Sequence, residues 1–282
     1  MPELPEVQTI VNQLQNLRGR KINSVDIILP AVFGGNEKDI IGEEIRGVER
    51  RGKTIVLKLS NGKFLTIHLR MTGRLVYNKT DKINKDKNPI TGELPNKHTR
   101  AIFGLDKGTL FFNDVRKFGR IKIMSDTQWA MDNQKLGPDA LGKEFTEKYL
   151  AETCRGWKRP IKLLLLDQEK IAGIGNIYAN EILWCARINP RESASVLVRQ
   201  APKIVPIIRT CVIKVLREGI KYGGSTSGDR SYVDLLGQPG GMQEHLNVYH
   251  RTGKACPRND GGIIQKSVIG GRGTFFCPVC QG

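Results

Sequence analysis

Residues 2 to 6 read Pro-Glu-Leu-Pro-Glu, which places a secondary amine next to two carboxylic acids. Trimming of Met1 ahead of the small residue Pro2 would leave the Pro2 nitrogen as the α-amine of the chain. An α-amine titrates near 8, about two units below lysine, so a working fraction is neutral at pH 7 without burial. Attack by that nitrogen on a sugar aldehyde carbon gives an iminium, and Glu3 or Glu6 is near enough in sequence to move the protons. A plainer reading stands beside this one. Proline in a first helical turn and glutamate near a helix N-terminus suit the missing N–H and the positive end of the dipole.

The elements that must carry these groups can be traced from periodicity. Val7, Ile10, Val11, Leu14 and Leu17 recur at helical spacing, and Gly19 suits the stop. From there to about residue 125 the chain reads as strands. KTIVLKLSNGKFLTIHLR turns at Asn61-Gly62, and AIFGLDKGTLFFND turns at Asp106-Lys107-Gly108. A long polar stretch, 78 to 99, separates them, of the kind that is functional or mobile in a compact domain. Residues 127 to 222 then read as helices: FTEKYLAETC, RPIKLLLLDQ, NIYANEILWCARI and APKIVPIIRTCVIKVLREGI, the last kinked or delayed by Pro206. Gly173 and Gly175 set Asn176 at a helix start, where backbone N–H groups face an anion, although a tight helix–helix turn explains the pattern equally well.

Composition narrows the partners. The 282 residues are 39% hydrophobic, enough for a buried core, and Lys plus Arg exceed Asp plus Glu by 45 to 28, a net charge of +17. That balance favours a polyanion, with nucleic acid first. No apolar run approaches the roughly 18 residues of a membrane span, and no secretory signal is evident at the N-terminus. Cys154, Cys185 and Cys211 are scattered in apolar helical contexts, which predicts no disulfide framework and a reducing compartment.

Taken together, PELPEV, HLRMTGRL (68–75), DVRKFG (114–119), GIGNIYANE (173–181) and GRGTFFCPVCQ (271–281) closely resemble, in order and over nearly the whole chain, the bacterial formamidopyrimidine-DNA glycosylase family. Leu4 favours the oxidised-purine branch over the related endonuclease VIII branch, which usually has Gly there. The resemblance implies an α+β fold: an N-terminal β-sandwich with flanking helices, then a helix-two-turn-helix domain with a C-terminal zinc-finger-like β-hairpin, gripping DNA between them. The divisions are 1–126 (catalytic sandwich), 127–222 (helix-two-turn-helix), 223–247 (lesion-recognition loop GGSTSGDRSYVDLLG and connection) and 248–282 (hairpin).

The implied activity is that of a monomeric, bifunctional DNA glycosylase and lyase of base excision repair in the bacterial cytoplasm or nucleoid. It would remove 8-oxoguanine and formamidopyrimidines from damaged double-stranded DNA, with no membrane involvement. Pro2 would form the Schiff base, Glu3 and Glu6 would serve proton transfer, and Lys53 and Arg272 would match the family lysine and the hairpin-tip cation. Met71, Arg116 and Phe118 would fill the hole left by an extruded nucleotide, and His98, Lys158 and Asn176 would contact phosphates. The alternatives are an oxidised-pyrimidine glycosylase of the endonuclease VIII type and a non-catalytic damaged-DNA binder, the latter having no need of Pro2 and Glu3.

One departure stands out. The family tail carries paired cysteines, C-x2-C and C-x2-C, around one structural Zn2+, but here the first pair reads CPRND, leaving Cys256, Cys277 and Cys280. Asp260 keeps the family spacing to Cys277, so a Cys3Asp site is predicted. A zinc-free hairpin held by Ile263, Ile264, Val268 and Phe276 is the other reading, and His250 an outside candidate ligand.

Overall fold

A computed structural model of the chain describes residues 1–79, 91–200, 203–226 and 232–282. Part of the polar stretch 78–99 and residues 227–231 of the glycine-rich loop therefore lie outside the described residues. The chain forms two compact units, one of residues 1–134 with 219–243, the other of residues 135–218 with 244–282.

The first unit opens with helix α1 (Leu4–Leu14). Strands β1 (Ile22–Ile27), β2 (Phe33–Gly34), β3 (Ile45–Arg51), β4 (Thr54–Leu59), β5 (Phe64–His68), β6 (Gly73–Asn78), β7 (Thr99–Leu105), β8 (Thr109–Asp114) and β9 (Arg120–Met124) follow, then helix α2 (Asp126–Gln134). The strands form two sheets, ordered β1-β7-β8-β6 and β2-β9-β5-β4-β3. All pairings are antiparallel except the short β2–β9 pair. Alternation along the strands sends Ile55, Leu57, Leu65 and Ile67 from one sheet, and Leu75, Ala101, Phe103 and Phe112 from the other, into one core. The apolar stripe of α1 (Val7, Ile10, Val11, Leu14) closes that core. This is the sandwich expected from the sequence, with its hairpins at the Asn61-Gly62 and Lys107-Gly108 turns.

The second unit contains α3 (Glu147–Arg155), α4 (Ile161–Leu166), α5 (Asn176–Ala186), α6 (Ala194–Gln200), α7 (Ile204–Lys221) through residue 218, and the hairpin β10 (Gln265–Ile269) and β11 (Arg272–Phe276). Pro206 sits in the first turn of α7, where its missing N–H costs nothing. Cys185 on α5 and Cys211 on α7 are joined by a disulfide, Cα–Cα 5.8 Å. This corrects the expectation of unconnected core thiols: apolar helix positions remote in sequence become neighbours once the helices pack, a pairing that spacing does not disclose. Cys154 is free and buried, and its thiol is pushed up to about 12 by that burial. Among the described residues no helix is long and apolar enough to cross a membrane.

Candidate catalytic and nucleic-acid-binding sites

In the first unit the acids of the N-terminus are built into the entry of α1. Pro2 is buried, and Glu3 and Glu6 are 3% and 1% exposed. Glu6 uses both carboxylate oxygens on backbone: Oε2 accepts from Glu3 N–H at 2.7 Å and Oε1 accepts from Ser225 N–H at 2.7 Å. The first bond is half of a capping box, and the second reaches more than two hundred residues along the chain to the loop at 223–226. Gly224 packs flat against Glu6; a Cβ there would lie 2.7 Å from Glu6 Cγ, and its φ of +81° is one that only glycine adopts freely. Tyr232 also reaches this helix entry, donating its hydroxyl to Glu6 O at 3.3 Å. Burial and the Glu6 charge push the Tyr232 phenol well above its usual range, so it stays a neutral donor.

Lys53, 8% exposed, sits in the turn between β3 and β4. Arg50 fixes that turn relative to α1, donating from Nε to Gln8 Oε1 at 2.8 Å and from Nη1 to Gly52 O at 2.9 Å. His68 pairs in register with Thr54, next to Lys53. Burial, then the Arg70 and Lys53 charges, hold its imidazole down at about 4, and its Nδ1 accepts from Arg70 N–H at 3.1 Å. A neutral histidine acceptor beside a buried lysine is thus the native state.

Met71, Arg116 and Phe118 come from two neighbouring turns, β5–β6 and β8–β9. Met71 is half-buried, while Arg116 and Phe118 are exposed, with the guanidinium carbon 4.9 Å from the ring centroid. The pair leaves a cation and an aromatic ring together on the surface. His98 is held nearby by its carbonyl, which accepts from Asp114 N–H at 2.8 Å. It borders a cavity of about 70 Å3 with Thr72, Arg74 and Asn113, and burial and the surrounding Lys97, Arg100 and Arg74 charges lower its pKa.

In the second unit, one lysine that sequence reasoning passed over takes a central place. Lys158 is exposed, in the turn before α4, whereas Lys162 on α4 is fully buried and donates from Nζ to Gly273 O and Thr274 Oγ1, both at 2.8 Å. Asn176 Nδ2 donates to the same Gly273 carbonyl at 3.1 Å, and Asn180 Oδ1 accepts from Phe275 N–H at 2.8 Å. Residues 273–275 of β11 are therefore pinned to α4 and α5 immediately beyond exposed Arg272. A lysine inside the apolar run IKLLLL was the signal: buried lysine needs partners, and a carbonyl and a hydroxyl acceptor supply them here. Glu181, another residue passed over, lies buried on α5 and accepts from Asn247 N and Nδ2, Val248 N and Tyr249 N at 2.9 to 3.1 Å. Burial pushes its carboxyl up while those donors pull it down.

Beyond this lies the cysteine corner. Cys256, Asp260, Cys277 and Cys280 bring one ligand atom each to within 4.8 Å of one another. Tetrahedral zinc with sulfur at about 2.3 Å and oxygen at about 2.1 Å would have S···O edges near 3.6 Å and S···S edges near 3.8 Å. Cys277 Sγ lies 3.6 and 3.5 Å from the two Asp260 oxygens, and Cys256 Sγ lies 4.0 Å from Cys280 Sγ. The donor set thus fits a divalent ion of zinc's size. Gly262 N–H, bonded to Asp260 Oδ1 at 2.9 Å, is the leading cause holding that carboxyl at about 2. Arg258 lies 3.9 Å over the Trp184 ring and donates to Cys280 Sγ at 3.2 Å. His250 stacks on Tyr249 and Phe275 outside the cluster. Of the apolar set offered as a metal-free core, Ile264 and Phe276 are buried, but Ile263 and Val268 are 50% and 70% exposed.

Comparison with known proteins agrees across the chain. The formamidopyrimidine-DNA glycosylase N-terminal domain matches residues 1–121, and the formamidopyrimidine-DNA glycosylase H2TH domain matches residues 136–231. The formamidopyrimidine-DNA glycosylase of Pelotomaculum thermopropionicum is 42% identical over 292 aligned residues, covering 100% of this chain and 99% of the relative. That of Streptococcus mutans is 39% identical, covering 100% and 99%. Among solved structures, the Lactococcus lactis Fpg bound to abasic-site DNA is similar with a TM-score of 0.86 at 34% identity, over 99% of each chain. The Thermus thermophilus MutM (Fpg) protein is similar with a TM-score of 0.86 at 36% identity, over 100% of this chain and 99% of that one.

Proposed function

Since the chain belongs to the formamidopyrimidine-DNA glycosylase family, we propose that it binds damaged double-stranded DNA, excises oxidised purines and cleaves the strand through a Pro2 Schiff base. The observation that carries this reading is the buried N-terminal acid cluster, in which Glu6 holds the backbone of Glu3 and of Ser225 with its two oxygens. That arrangement ties the backbone beside Pro2 to the loop at Ser225 through one buried carboxylate.

The chemistry then follows from the residues. With Met1 removed, the neutral Pro2 nitrogen bonds to C1′ as the glycosidic bond breaks, and the departing base takes a proton. Glu3, beside Pro2, delivers a proton to O4′ as the ring opens and the nitrogen lone pair completes the iminium. The cationic iminium acidifies C2′–H; loss of that proton breaks C3′–O3′, and a second elimination breaks C5′–O5′. Water then hydrolyses the iminium, releasing the sugar fragment and restoring Pro2. Lys53, buried in the turn that Arg50 ties to α1, is assigned to lesion handling and elimination, and Met71, Arg116 and Phe118 to the vacated duplex position. His98, Asn176 and the hairpin-tip Arg272 are assigned to the phosphate-facing surface, with buried Lys162 holding Gly273 and Thr274 just beyond Arg272. Lys158 remains a candidate phosphate contact from its exposed turn.

The hairpin is assigned one structural zinc held by Cys256, Asp260, Cys277 and Cys280; when bound, the ion cross-links the two turns that carry them. The protein acts as a monomer in the bacterial cytoplasm or nucleoid, the Cys185–Cys211 bond being the one feature that a reducing compartment opposes. Elemental analysis of protein purified without chelator should find stoichiometric zinc that Asp260→Ala lowers; full zinc in that variant removes the aspartate from the ligand set.

Borohydride should trap the protein covalently on 8-oxoguanine or abasic duplex, with the adduct at Pro2 by mass spectrometry. Full lyase activity in Pro2→Gly, or intact Met1 on active protein, overturns the mechanism.

A further inference from the structure

Asp114 ends β8 and is fully buried, and both of its carboxylate oxygens are engaged by groups of two turns. Oδ1 accepts the Thr72 hydroxyl and Arg116 N–H, the latter at 3.2 Å, and Oδ2 accepts Gly119 N–H at 2.7 Å. Arg116 N–H also reaches Thr72 Oγ1 at 2.9 Å. Thr72 directly follows Met71, while Arg116 N and Gly119 N bracket the turn that bears Arg116 and Phe118. Gly73 and Asp114 are register partners, so the two turns leave adjacent strand ends. Both turns pass through a left-handed non-glycine residue, Arg70 at φ +54° in one and Lys117 at φ +61° in the other. Such a conformation persists only where the surroundings hold it. Gly119 has no room for a side chain: a Cβ would lie 2.5 Å from Phe112 Cζ and 3.1 Å from Asp114 Oδ2.

Building on the wedge roles given under Proposed function, we propose that Asp114 is a positioning residue that locks the Met71 turn and the Arg116–Phe118 turn into one rigid unit, so that the three side chains enter the duplex together. Extruding a nucleotide costs stacking energy that three separately mobile side chains recover poorly, because each must be ordered at the moment of insertion. Two turns tied through one carboxylate have that ordering completed beforehand. Arg100 secures the same residue from its other side, donating to Asp114 O at 2.9 Å.

The consequence is selective. Excision of an intact damaged base depends on extrusion, whereas cleavage at a preformed abasic site begins with no base to remove. In single-turnover assays Asp114→Ala should therefore slow excision of 8-oxoguanine opposite cytosine at least tenfold more than it slows cleavage of an abasic site opposite cytosine. Asp114→Asn, which keeps an acceptor for Thr72 and Arg116, should recover part of the difference. Thr72→Val removes only the hydroxyl and serves where Asp114→Ala folds poorly: it should shift the same ratio in the same direction, and add nothing to Asp114→Ala. Equal slowing on both substrates, or additive losses in the double variant, overturns the assignment. Wild-type protein that fails to be trapped by borohydride on either substrate would instead sink the glycosylase reading, which separates the two failures.

Discussion

The N-terminal acid cluster and the cysteine corner of the hairpin are both assemblies of polar groups drawn from distant stretches of chain, yet they are completed differently. Around Glu6 the carboxylate is met by backbone: Glu3 N–H and Ser225 N–H each donate to one of its oxygens. Around Asp260 the backbone supplies Gly262 N–H, and three cysteine sulfurs stand with it, all four ligand atoms within 4.8 Å of one another. In one cluster the fold itself meets the carboxylate, and the other gathers four ligand atoms near enough to one another to hold a cation. The chemical site should thus be indifferent to metal and sensitive to single proton-transfer groups, and the hairpin should behave in the opposite way.

The largest effect that can break this contrast is on chemistry. Glu3→Gln keeps size and removes a proton-transfer group, so excision should fall by about 10²- to 10⁴-fold, up to about 5 kcal/mol of barrier. Zinc content and lesion-DNA affinity should stay as in wild type. Zinc loss from this variant would mean that the two regions are not independent.

Much of this was legible in the sequence, and the exceptions have physical causes. Hairpin turns and the α1 stripe announce themselves because burial alternates at the period of the element. Helix α2 does not, because none of its residues is buried and no stripe exists; its signal was local, Ser125 and Gln128 exchanging cap hydrogen bonds. Lys162 and Glu181 were passed over because a charged residue within an apolar helix looks like a solvated face until its partners are known. Ser225 could not be foreseen beside Glu6, since only the return of the chain at 219–243 to the first unit brings them together.

The next effect sharpens the comparison from the hairpin side. Glu181→Ala leaves four N–H donors of residues 247–249 without their acceptor in a buried place. At about 1 kcal/mol or more for each, the second unit should lose about 4 kcal/mol. Native-state hydrogen exchange should show the loss at 244–282 and not in the sandwich strands. Uniform loss of protection throughout the chain would mean that the two units unfold as one.

The smallest effect tests the chemical side through pH. The folded-state pKa of His68 is lowered to about 4 from 6.5, by burial first and then by the Arg70 and Lys53 charges. Above pH 6.5 the imidazole is neutral in both folded and unfolded chains and contributes no pH dependence. Between 6.5 and about 4 the unfolded chain takes up a proton that the folded chain refuses, so stability falls as pH falls, and the loss is complete below about 4. The full shift corresponds to up to about 3 kcal/mol. His68→Asn offers Oδ1 in place of the Nδ1 that accepts Arg70 N–H, and it cannot be protonated in this range. Urea unfolding of the first unit at pH 7 and pH 4.5 should show wild type losing more stability than His68→Asn on acidification, by about 2 kcal/mol of that maximum. Equal losses would mean that His68 takes its proton in the folded state, and the site beside Lys53 would then carry a second positive charge in mild acid rather than a neutral acceptor.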